Sequence, residues 1–431
     1  MWKDIELPGP STEATPASET LEARALQSLR ANMVSGYDPF YRVEYQYVRP
    51  SPGRYNWQWF WDSCFHAIAL ARLDPRLAET EIRTLMTPQD PDGFIGHMTY
   101  WGRRGALASA IFVQSKLGTW RRRHSSLIQP PVLALSLESI YATTGDMGLL
   151  RELAPGVQRY YDWLGRSRAL SDSSLIAIFS PYESGLDNSP SYDELFGLRN
   201  PGRIRILYEN RKLDFLNLLG GGNMDERKLF DDDRFVVYDT LVNTYYAEGL
   251  RSLARMHATL GDDESADAAG ERARVVEEEL NERCWDESSA AFLHLAGKHR
   301  RPLKVLSASS LLPAFLECTP EQRTRRVVEQ HIRNPETFGT PLPIPSVAAS
   351  EPSFDPVGER MLWRGPVCMN INWLIVRGLR RKGFVHDADL IRGRSRAAVN
   401  EHGFREFYNP LTASGMRGRG FGWATLVVDM D

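Results

Sequence analysis

Two stretches that lie far apart in the chain each place one carboxylate among aromatic and turn-forming residues. The first is SPYESGLDNSPSY at 180–192, which contains Asp187, and the second is HGFREFYNPLTASG at 402–415, which contains Glu406. Proline and glycine restrict or redirect the backbone, so both stretches are predicted to be ordered loops. One carboxylic acid and one carboxylate, held about 6.5–9.5 Å apart, are the groups that hydrolyse a glycosidic bond with inversion.

The neighbours of Asp187 suit the acid of such a pair. Tyr182, Leu186 and Pro190 are apolar enough to disfavour the charged carboxylate and raise its pKa. Asp187 would then donate a proton near neutral pH, and Glu406 would act as the base. Any chain with many acidic residues offers such pairs, so spacing alone leaves this pairing open as a hypothesis.

Three further stretches combine aromatic residues with polar groups, and they are YNWQWFWDSCFH at 55–66, GFIGHMTYW at 93–101 and LWRGPVCMNIN at 362–372. Aromatic ring faces fit the apolar C–H faces of sugars, and an adjacent acid can bind the hydroxyl groups. We therefore predict that these stretches line a sugar site. Burial of the alternate tryptophans in the core is the competing interpretation, and it applies to some of them.

Composition narrows the class of protein and of partner. Hydrophobic residues make up 42% and charged residues 25% of the chain, and the net charge is −3, which indicates a soluble globular protein without a nucleic-acid partner. The sequence has neither an apolar run of about 20 residues nor a signal peptide, so no membrane partner is predicted. The four cysteines are far apart and form no paired motif, which favours reduced thiols and a cytoplasmic protein.

The positions of the apolar residues predict an all-α protein. We expect residues 1–18 to be flexible, a first helix at about 19–35, a loop at 39–61, and about twelve helical segments in all, mostly in antiparallel pairs. Six such pairs would close into an (α/α)6 barrel that forms a single domain over 19–431. Two long stretches at about 87–128 and 193–234 are predicted to be irregular and to cap the barrel mouth. A tandem-repeat solenoid is the competing layout, but no repeat is found.

Four motifs together carry a resemblance to a known family. WQWFWDSCFHAIAL, ESGLDNSP, LWRGPVCMNINWL and EFYNPLTASG…FGWATLVVD, in this order, resemble glycoside hydrolase family 63 and its bacterial relatives. The compact chain is similar to the mannosylglycerate and glucosylglycerate hydrolases of that family. The resemblance implies an (α/α)6 barrel and an inverting mechanism, with Asp187 as general acid and Glu406 as general base.

The same resemblance implies a set of residues around the sugar. They are Tyr55, Trp59, Asp62, His97, Gln129, Trp363 and Gly365. Asn188 and Trp423 lie in the same motifs and complete the predicted substrate-binding set. No metal site and no cofactor are predicted, because inverting hydrolysis needs neither and no metal-ligand cluster or nucleotide loop has a convincing spacing.

A glycerate aglycone carries a carboxylate, for which a forked arginine is the preferred partner. Arg234 is our first candidate, and Arg103, Arg104, Arg205 and Arg211 are the others. An ordinary surface role competes for each. Leu362 stands where these hydrolases tend to have an aromatic residue, which leaves the aglycone open.

The predicted function is therefore inverting hydrolysis of a small anionic α-glycoside, glucosylglycerate or mannosylglycerate, to hexose and glycerate. An α-glucosidase acting on neutral disaccharides or oligosaccharides is the main alternative. A glycoside phosphorylase needs no general base, so Glu406 speaks against it, and a sugar-binding barrel without activity is the remaining alternative. The partner is predicted to be a small-molecule glycoside, and the oligomeric state is left open, a homo-oligomer included.

Overall fold

The computed structural model describes residues 19–53, 55–102, 124–170, 172–199, 201–219, 224–358 and 362–431. The predicted flexible segment at 1–18, the candidates Arg103 and Arg104, and residues 103–123 of the 87–128 stretch lie outside the described residues.

Helices dominate the described part of the chain. In chain order the α-helices are α1 (Leu21–Ala31), α2 (Phe60–Leu73), α3 (Pro75–Met86), α4 (Leu133–Thr144), α5 (Met147–Arg168), α6 (Arg203–Leu219), α7 (Glu226–Asp232), α8 (Thr240–Leu260), α9 (Asp263–Glu279), α10 (Glu321–Val327), α11 (Met369–Arg381) and α12 (Val385–His402). Four 3₁₀ segments also take part, and they are Pro181–Ser184, Pro190–Phe196, Ala308–Phe315 and Gly422–Asp429. Two π-helical turns, Leu280–Cys284 and Val328–Ile332, extend α9 and α10.

Strands are short and antiparallel. They are β1 (Met33–Asp38), β2 (Val43–Val48), β3 (Gln58–Trp59), β4 (Met98–Thr99), β5 (Val237–Tyr238), β6 (Trp285–Asp286), β7 (Ala291–Phe292), β8 (His294–Ala296), β9 (Arg301–Leu303), β10 (Arg405–Tyr408) and β11 (Gly415–Arg419). β1 pairs with β2, β3 with β4, β6 with β7 and β10 with β11, while β5, β8 and β9 form one small sheet. β6 and β7 form a short hairpin, with Trp285 opposite Phe292 and Asp286 opposite Ala291.

Six heavily buried segments pack side by side in the interior. Contacts run from α2 to α4, from α4 to α8, from α8 to Ala308–Phe315, then to α11, to Gly422–Asp429 and back to α2. Helices such as α2 and α8 are apolar on nearly every face, which is typical of helices that are surrounded by protein. The core is therefore continuous across the whole described chain.

A second set of helices covers this interior set from outside. Each outer helix contacts at least one inner segment that is its neighbour along the chain or in space. The outer helices are α1, α3, α5, α9, α10 and α12. α9 shows why they remain outside, since only Ala269, Ala273, Val276 and Glu277 of its 17 residues are buried. Its remaining surface is charged and faces solvent, as expected for a one-sided amphipathic helix.

The turns between paired helices follow the local sequence signals. Gly145 ends α4 in the left-handed conformation with φ of 64°, which glycine adopts without steric cost. Asp146 then caps α5 through hydrogen bonds that its Oδ1 accepts from the backbone amides of Gly148 and Leu149, at 2.7 and 3.0 Å. This short turn joins α4 to α5, and the two helices contact each other.

Two predictions about the first sixty residues are wrong. The helix predicted to reach residue 35 ends at Ala31, and the residues that follow form β1. The predicted loop at 39–61 contains β2, which pairs with β1 from Met33–Val48 to Asp38–Val43. Pairing between the two strands stabilises the extended conformation of these residues. A prediction from the spacing of apolar residues in one segment does not take this pairing into account.

The prediction of an irregular stretch at 193–234 is also wrong, because α6 and α7 occupy most of it. The buried face of α6 is mixed: it contains apolar residues, but also Glu209, Asn210, Asp214 and Asn217, whereas Ile204 is 85% and Tyr208 56% exposed. The apolar residues of α6 therefore do not form one inward stripe. Its polar face points inward because it holds the loop that carries Asp187, as described below.

Candidate active site

The Asp187 segment is a tight, non-repetitive turn, as predicted. Asp187 lies between the two 3₁₀ segments Pro181–Ser184 and Pro190–Phe196. Gly185 has φ of 74°, and a Cβ atom on it would stand 2.5 Å from Cη2 of Trp61. Only glycine lets the backbone pass the Trp61 ring at this distance.

A buried ion pair supports this turn from beneath. Nη1 of Arg168 donates to Oε2 of Glu183 at 2.9 Å, and Nη2 donates to Oε1 at 2.8 Å. It also accepts hydrogen bonds from the backbone amides of Ile128 and Phe179, at 3.0 and 2.7 Å. The second acid of the motif is therefore saturated and structural, which leaves Asp187 as the one that faces the cavity.

The polar face of α6 holds the same turn from the side. Nδ2 of Asn210 donates to the backbone carbonyl of Asp187 at 3.0 Å and to Oδ1 of Asn188 at 3.4 Å. Asp214 accepts a hydrogen bond from the Ser180 hydroxyl at 2.7 Å. These contacts explain why α6 buries polar side chains.

Glu406 lies on a β-hairpin, so the prediction of a loop at this position is wrong. Its strand β10 pairs with β11 with a register shift between Arg405 and Phe407. The Tyr55 hydroxyl donates to Oε1 of Glu406 at 2.7 Å, and the Gly418 amide donates to Oε2 at 3.2 Å. The bulged hairpin thus presents the carboxylate with a donor on each oxygen.

One cavity brings the two carboxylates together. Among the predicted site residues, those that line it are Asp187, Glu406, Tyr55, Trp59, Asp62, Gln129, Trp363 and Trp423. Gln129 is held by the Trp61 amide, which donates to its Oε1 at 3.0 Å, and the Trp423 indole donates to the Glu406 carbonyl at 3.0 Å. Trp61, which also lines it, belongs to the 55–66 stretch that was predicted to line a sugar site. Phe407 and Phe421 line it as well and were not predicted as site residues, although each lies inside a motif singled out in the sequence.

Burial and mutual repulsion change the protonation of the acids in this cavity. Burial, together with the charge of Glu406, raises the pKa of Asp187 to about 7. Burial and the same neighbour also raise the pKa of Asp62 well above its usual range, and Oδ1 of Asp62 is buried without a hydrogen-bond partner among the described residues. Burial therefore favours the protonated form of both Asp187 and Asp62.

Three predicted residues lie beside the cavity without lining it. His97 packs its ring edge-to-face on Trp59, with 5.4 Å between centroids, and hydrogen-bonds the Ser125 hydroxyl. Burial lowers the pKa of His97 to about 3, so the ring is neutral. Asn188 is held by α6 as described, and Gly365 has no room for a side chain because a Cβ atom would stand 2.6 Å from the Asp355 carbonyl oxygen.

Arg234 does not line this cavity, which corrects our first candidate for the aglycone carboxylate. Its Nη2 pairs with Oδ2 of Asp232 at 3.0 Å, and its Nη1 donates to the Leu216 carbonyl at 3.1 Å. Asp233 ends α7 in the left-handed conformation, with φ of 52°, and Arg234 lies in a separate cavity beside Leu195. The local turn that follows α7 thus carries Arg234 away from Asp187.

The two remaining arginine candidates are both on α6. Arg205 pairs with Glu209 one turn further along the helix, at 2.6 Å. Arg211 is close enough to Tyr182 for its charge to oppose the rise in the tyrosine pKa that burial and Asp187 cause. Arg211 is exposed and therefore brings a positive charge near the Asp187 turn.

The described residues include neither a metal-binding cluster nor a membrane-spanning helix. No cluster of three or more histidine, cysteine or acidic side chains with the arrangement of a metal site occurs among them. None of their helices combines the length and the apolar character that crossing a membrane requires.

Known proteins resemble this chain over nearly its whole length. A family model described as the mannosylglycerate hydrolase MGH1-like glycoside hydrolase domain matches residues 55–424. The mannosylglycerate hydrolase of Rubrobacter radiotolerans is 30% identical over 428 residues, covering 89% of this chain and 93% of that protein. The glucosylglycerate hydrolase of Mycolicibacterium hassiacum is 25% identical, with 88% and 92% covered.

Solved structures agree with this relationship. The crystal structure of the family 63 mannosylglycerate hydrolase from Thermus thermophilus, in complex with Tris and D-glycerate, superposes with a TM-score of 0.79 at 27% identity, covering 95% of this chain and 99% of that one. The neutral trehalase Nth1 of Saccharomyces cerevisiae, at 14% identity and a TM-score of 0.60, shares the fold. The chain therefore belongs to the mannosylglycerate hydrolase MGH1-like glycoside hydrolase family and is a glycoside hydrolase.

Proposed function

We propose that this enzyme hydrolyses mannosylglycerate or glucosylglycerate with inversion, releasing hexose and glycerate. The observation that carries the proposal is the aromatic-walled cavity that Asp187 and Glu406 both line. The raised pKa of Asp187 keeps it protonated near neutral pH, as a general acid requires. The names of the curated relatives supply the glycerate glycosides as substrates.

The proposed reaction moves one proton at each carboxyl group. Asp187 gives its proton to the glycosidic oxygen as the bond from that oxygen to the anomeric carbon breaks, and the glycerate leaves. A water on the opposite face attacks the anomeric carbon while Glu406 takes a proton from it. Exchange of protons with solvent then returns Asp187 to its acid form and Glu406 to its carboxylate.

The aromatic walls and Asp62 would bind the sugar. Trp59, Trp363 and Trp423 offer ring faces for its C–H groups. Because its pKa is raised, Asp62 would donate a hydrogen bond from its carboxyl proton to a sugar hydroxyl as well as accept one.

A sugar-release panel tests this function. We expect purified enzyme to release hexose from mannosylglycerate or glucosylglycerate, and Asp187→Ala and Glu406→Ala to abolish the release. Proton NMR of the first turnovers should show the β-anomer from an α-linked substrate. Early α-anomer would overturn inversion, and activity that survives both substitutions would overturn the site.

Hydrolysis of neutral α-linked disaccharides is the second candidate, because Leu362 contributes an apolar side chain to the cavity wall. Release of sugar from neutral disaccharides alone in the same panel would favour it.

For the anionic aglycone we propose Arg211 as the carboxylate partner, on the basis of its electrostatic contact with Tyr182 near Asp187. Loss of one charged hydrogen bond costs about 1.5–3 kcal/mol, so Arg211→Gln should raise KM for the glycerate glycoside about 10- to 100-fold. The matched control is Arg205→Gln on the same helix, where the guanidinium already pairs with Glu209. Equal KM values for the wild type and Arg211→Gln would exclude this role.

We further propose that the six inner and six outer segments form an (α/α)6 barrel, capped by residues of 87–128 and 193–234, as one domain over 19–431. The sequence of contacts that returns from Gly422–Asp429 to α2 supports a closed ring. The four cysteines are free thiols, which supports a cytoplasmic location. Small-angle scattering that required two separate bodies would contradict the single domain.

A further inference from the structure

A continuous chain of contacts joins the Asp187 turn to the Glu406 hairpin. It runs through a five-residue stretch, Trp363–Val367, which touches the Asp187 side at one end and the Glu406 side at the other. Trp363 itself lines the cavity between the two carboxylates. The stretch therefore connects the turn of the proposed acid with the strand of the proposed base.

The first contact is a forked ion pair. Nη1 of Arg364 donates to Oδ2 of Asp193 at 2.8 Å, and Nη2 donates to Oδ1 at 2.5 Å. The Arg364 side chain is fully buried and that of Asp193 is 15% exposed. Asp193 belongs to the 3₁₀ segment Pro190–Phe196, which begins three residues after Asp187. A planar guanidinium that meets both carboxylate oxygens fixes orientation as well as distance.

The second contact is a backbone bridge. The Val367 amide donates to the Tyr408 carbonyl at 2.8 Å, and the Tyr408 amide donates to the Val367 carbonyl at 2.9 Å. Tyr408 is the last residue of β10, two positions after Glu406. Movement of the Trp363–Val367 stretch would therefore be transmitted to the strand that carries the base.

The stretch between the two contacts has little freedom of its own. Trp363 adopts φ of 64°, a left-handed conformation that a tryptophan holds only where its surroundings impose it. The Asp355 amide donates to the Arg364 carbonyl at 2.6 Å, and the Gly365 amide donates to the Ser346 hydroxyl at 2.9 Å. A stiff stretch with one contact at each end acts as a spacer.

We propose that Arg364, through Asp193, is a positioning residue that sets the separation between Asp187 and Glu406. This inference rests on the proposed inverting mechanism, in which a water molecule must fit between the base and the sugar, so the separation of the carboxyl groups decides whether both act in one step. Arg364 does not line the cavity, so its effect on the rate would be exerted through the position of Asp187.

Arg364→Lys provides the test because it keeps the charge and removes the fork. Glu406 retains its donors Tyr55 and Gly418 in this variant, so the activation of water persists while the acid loses its position. A misplacement of about 1 Å costs on the order of 100-fold in rate, so kcat on the glycerate glycoside should fall about 100-fold. KM should change little.

A second substrate separates loss of the acid from general damage. A glycosyl fluoride of the same hexose has a leaving group that needs little protonation, so Arg364→Lys should lower its hydrolysis by less than about 5-fold. The alkaline limb of the pH profile should also move to lower pH, since a loosened Asp187 turn admits water and lowers the pKa of the acid. Equal losses on the two substrates with an unchanged pH profile, or no loss on either, would overturn the proposal.

Two further variants guard against misfolding. Asp193→Glu keeps a carboxylate opposite the buried Arg364 but lengthens the side chain by one methylene, so it should reproduce the selective loss if Arg364→Lys fails to fold. Arg333→Lys is the control: Arg333 also makes a forked contact, through Nε and Nη2 to Asp387 at 2.9 Å for both bonds, but it is half exposed, and neither residue lines the cavity. It should leave the ratio of the two activities unchanged, and a selective loss in it would count against the special role of Arg364.

The test does not depend on the glycerate assignment. The comparison uses whichever glycoside the wild type cleaves in the sugar-release panel, so a neutral substrate would leave it intact. Activity that survives loss of Asp187 would remove the proposed function itself before Arg364 is examined.

Discussion

The two proposed catalytic carboxylates are held by different kinds of structure. The turn that carries Asp187 has no backbone ladder, and side chains position it: Arg168 with Glu183, Asn210, and Arg364 with Asp193. Glu406 lies on a hairpin, whose backbone pairing positions it, and it receives one donor on each oxygen. Burial raises the pKa of Asp187, while the two donors fix the position of the Glu406 carboxylate.

This contrast assigns separate functions to the two regions, and separate variants should expose them. Asp187→Asn should lower kcat on the glycerate glycoside about 10³-fold and its action on a glycosyl fluoride far less, because the fluoride needs little acid. Glu406→Gln should lower both by about 10³-fold, since every substrate needs the activated water. Initial rates on the two substrates measure this, and the same pattern in both variants would remove the distinction.

The next largest effect should fall on stability, because the acid region depends on buried charge. Glu183→Gln leaves Arg168 buried without its partner and should destabilise the protein by about 3–5 kcal/mol in urea unfolding. Glu152→Gln, in the exposed pair with Arg83, is the control and should cost about 1 kcal/mol or less. Equal costs would show that the Asp187 turn is supported in some other way.

The raised pKa of Asp187 makes it a destabilising group above its unfolded pKa. Between about pH 4 and 7 the folded state binds a proton that the unfolded state has lost, so wild-type stability falls as pH rises through this window. Asp187→Asn, which stays neutral, should gain about 1–3 kcal/mol relative to the wild type between pH 4 and 8. Chemical unfolding at the two pH values measures the gain. A constant difference would mean that burial does not shift this group.

The smallest effect should come from the donor that holds the base. Tyr55→Phe removes the hydroxyl that donates to Glu406 and should lower kcat/KM about 10-fold, since a hydrogen bond to a charged group contributes about 1.5–3 kcal/mol. Tyr141→Phe on α4 is the control, because Tyr141 does not line the cavity. If Tyr55→Phe retained full activity, the backbone of the hairpin would be sufficient to hold Glu406.

The sequence was most informative where chemistry and backbone restriction coincide. Asp187 was recognisable because prolines and a glycine surround it, and the aromatic motifs that line the cavity were recognisable as groups. The strand of Glu406 was missed because four residues are too short to show an alternating pattern. Arg234 was misplaced because closeness in sequence does not give the direction in which a chain leaves a helix.

The helix α6 was missed for a different physical reason. Its hydrogen bonds to the Asp187 turn require polar residues on the inner face, so tertiary contacts override the usual hydrophobic pattern. Arg364 lies in the 362–372 stretch that was singled out in the sequence, but its pairing with Asp193 gave no local signal, since a pair separated by 171 positions is recognised only in three dimensions.

The exposed apolar side chains of α6 also affect how the enzyme behaves in concentrated solution. Three apolar side chains are at least half exposed, and they are Ile204, Tyr208 and Leu219. They contribute little to the free energy of folding but favour non-specific association between molecules. Replacing them with glutamate or lysine should improve solubility in concentrated preparations at little expense in melting temperature. The same exchange on the inner face, at Asn210 or Asp214, would instead disturb the Asp187 turn, so this helix can be redesigned from one side only.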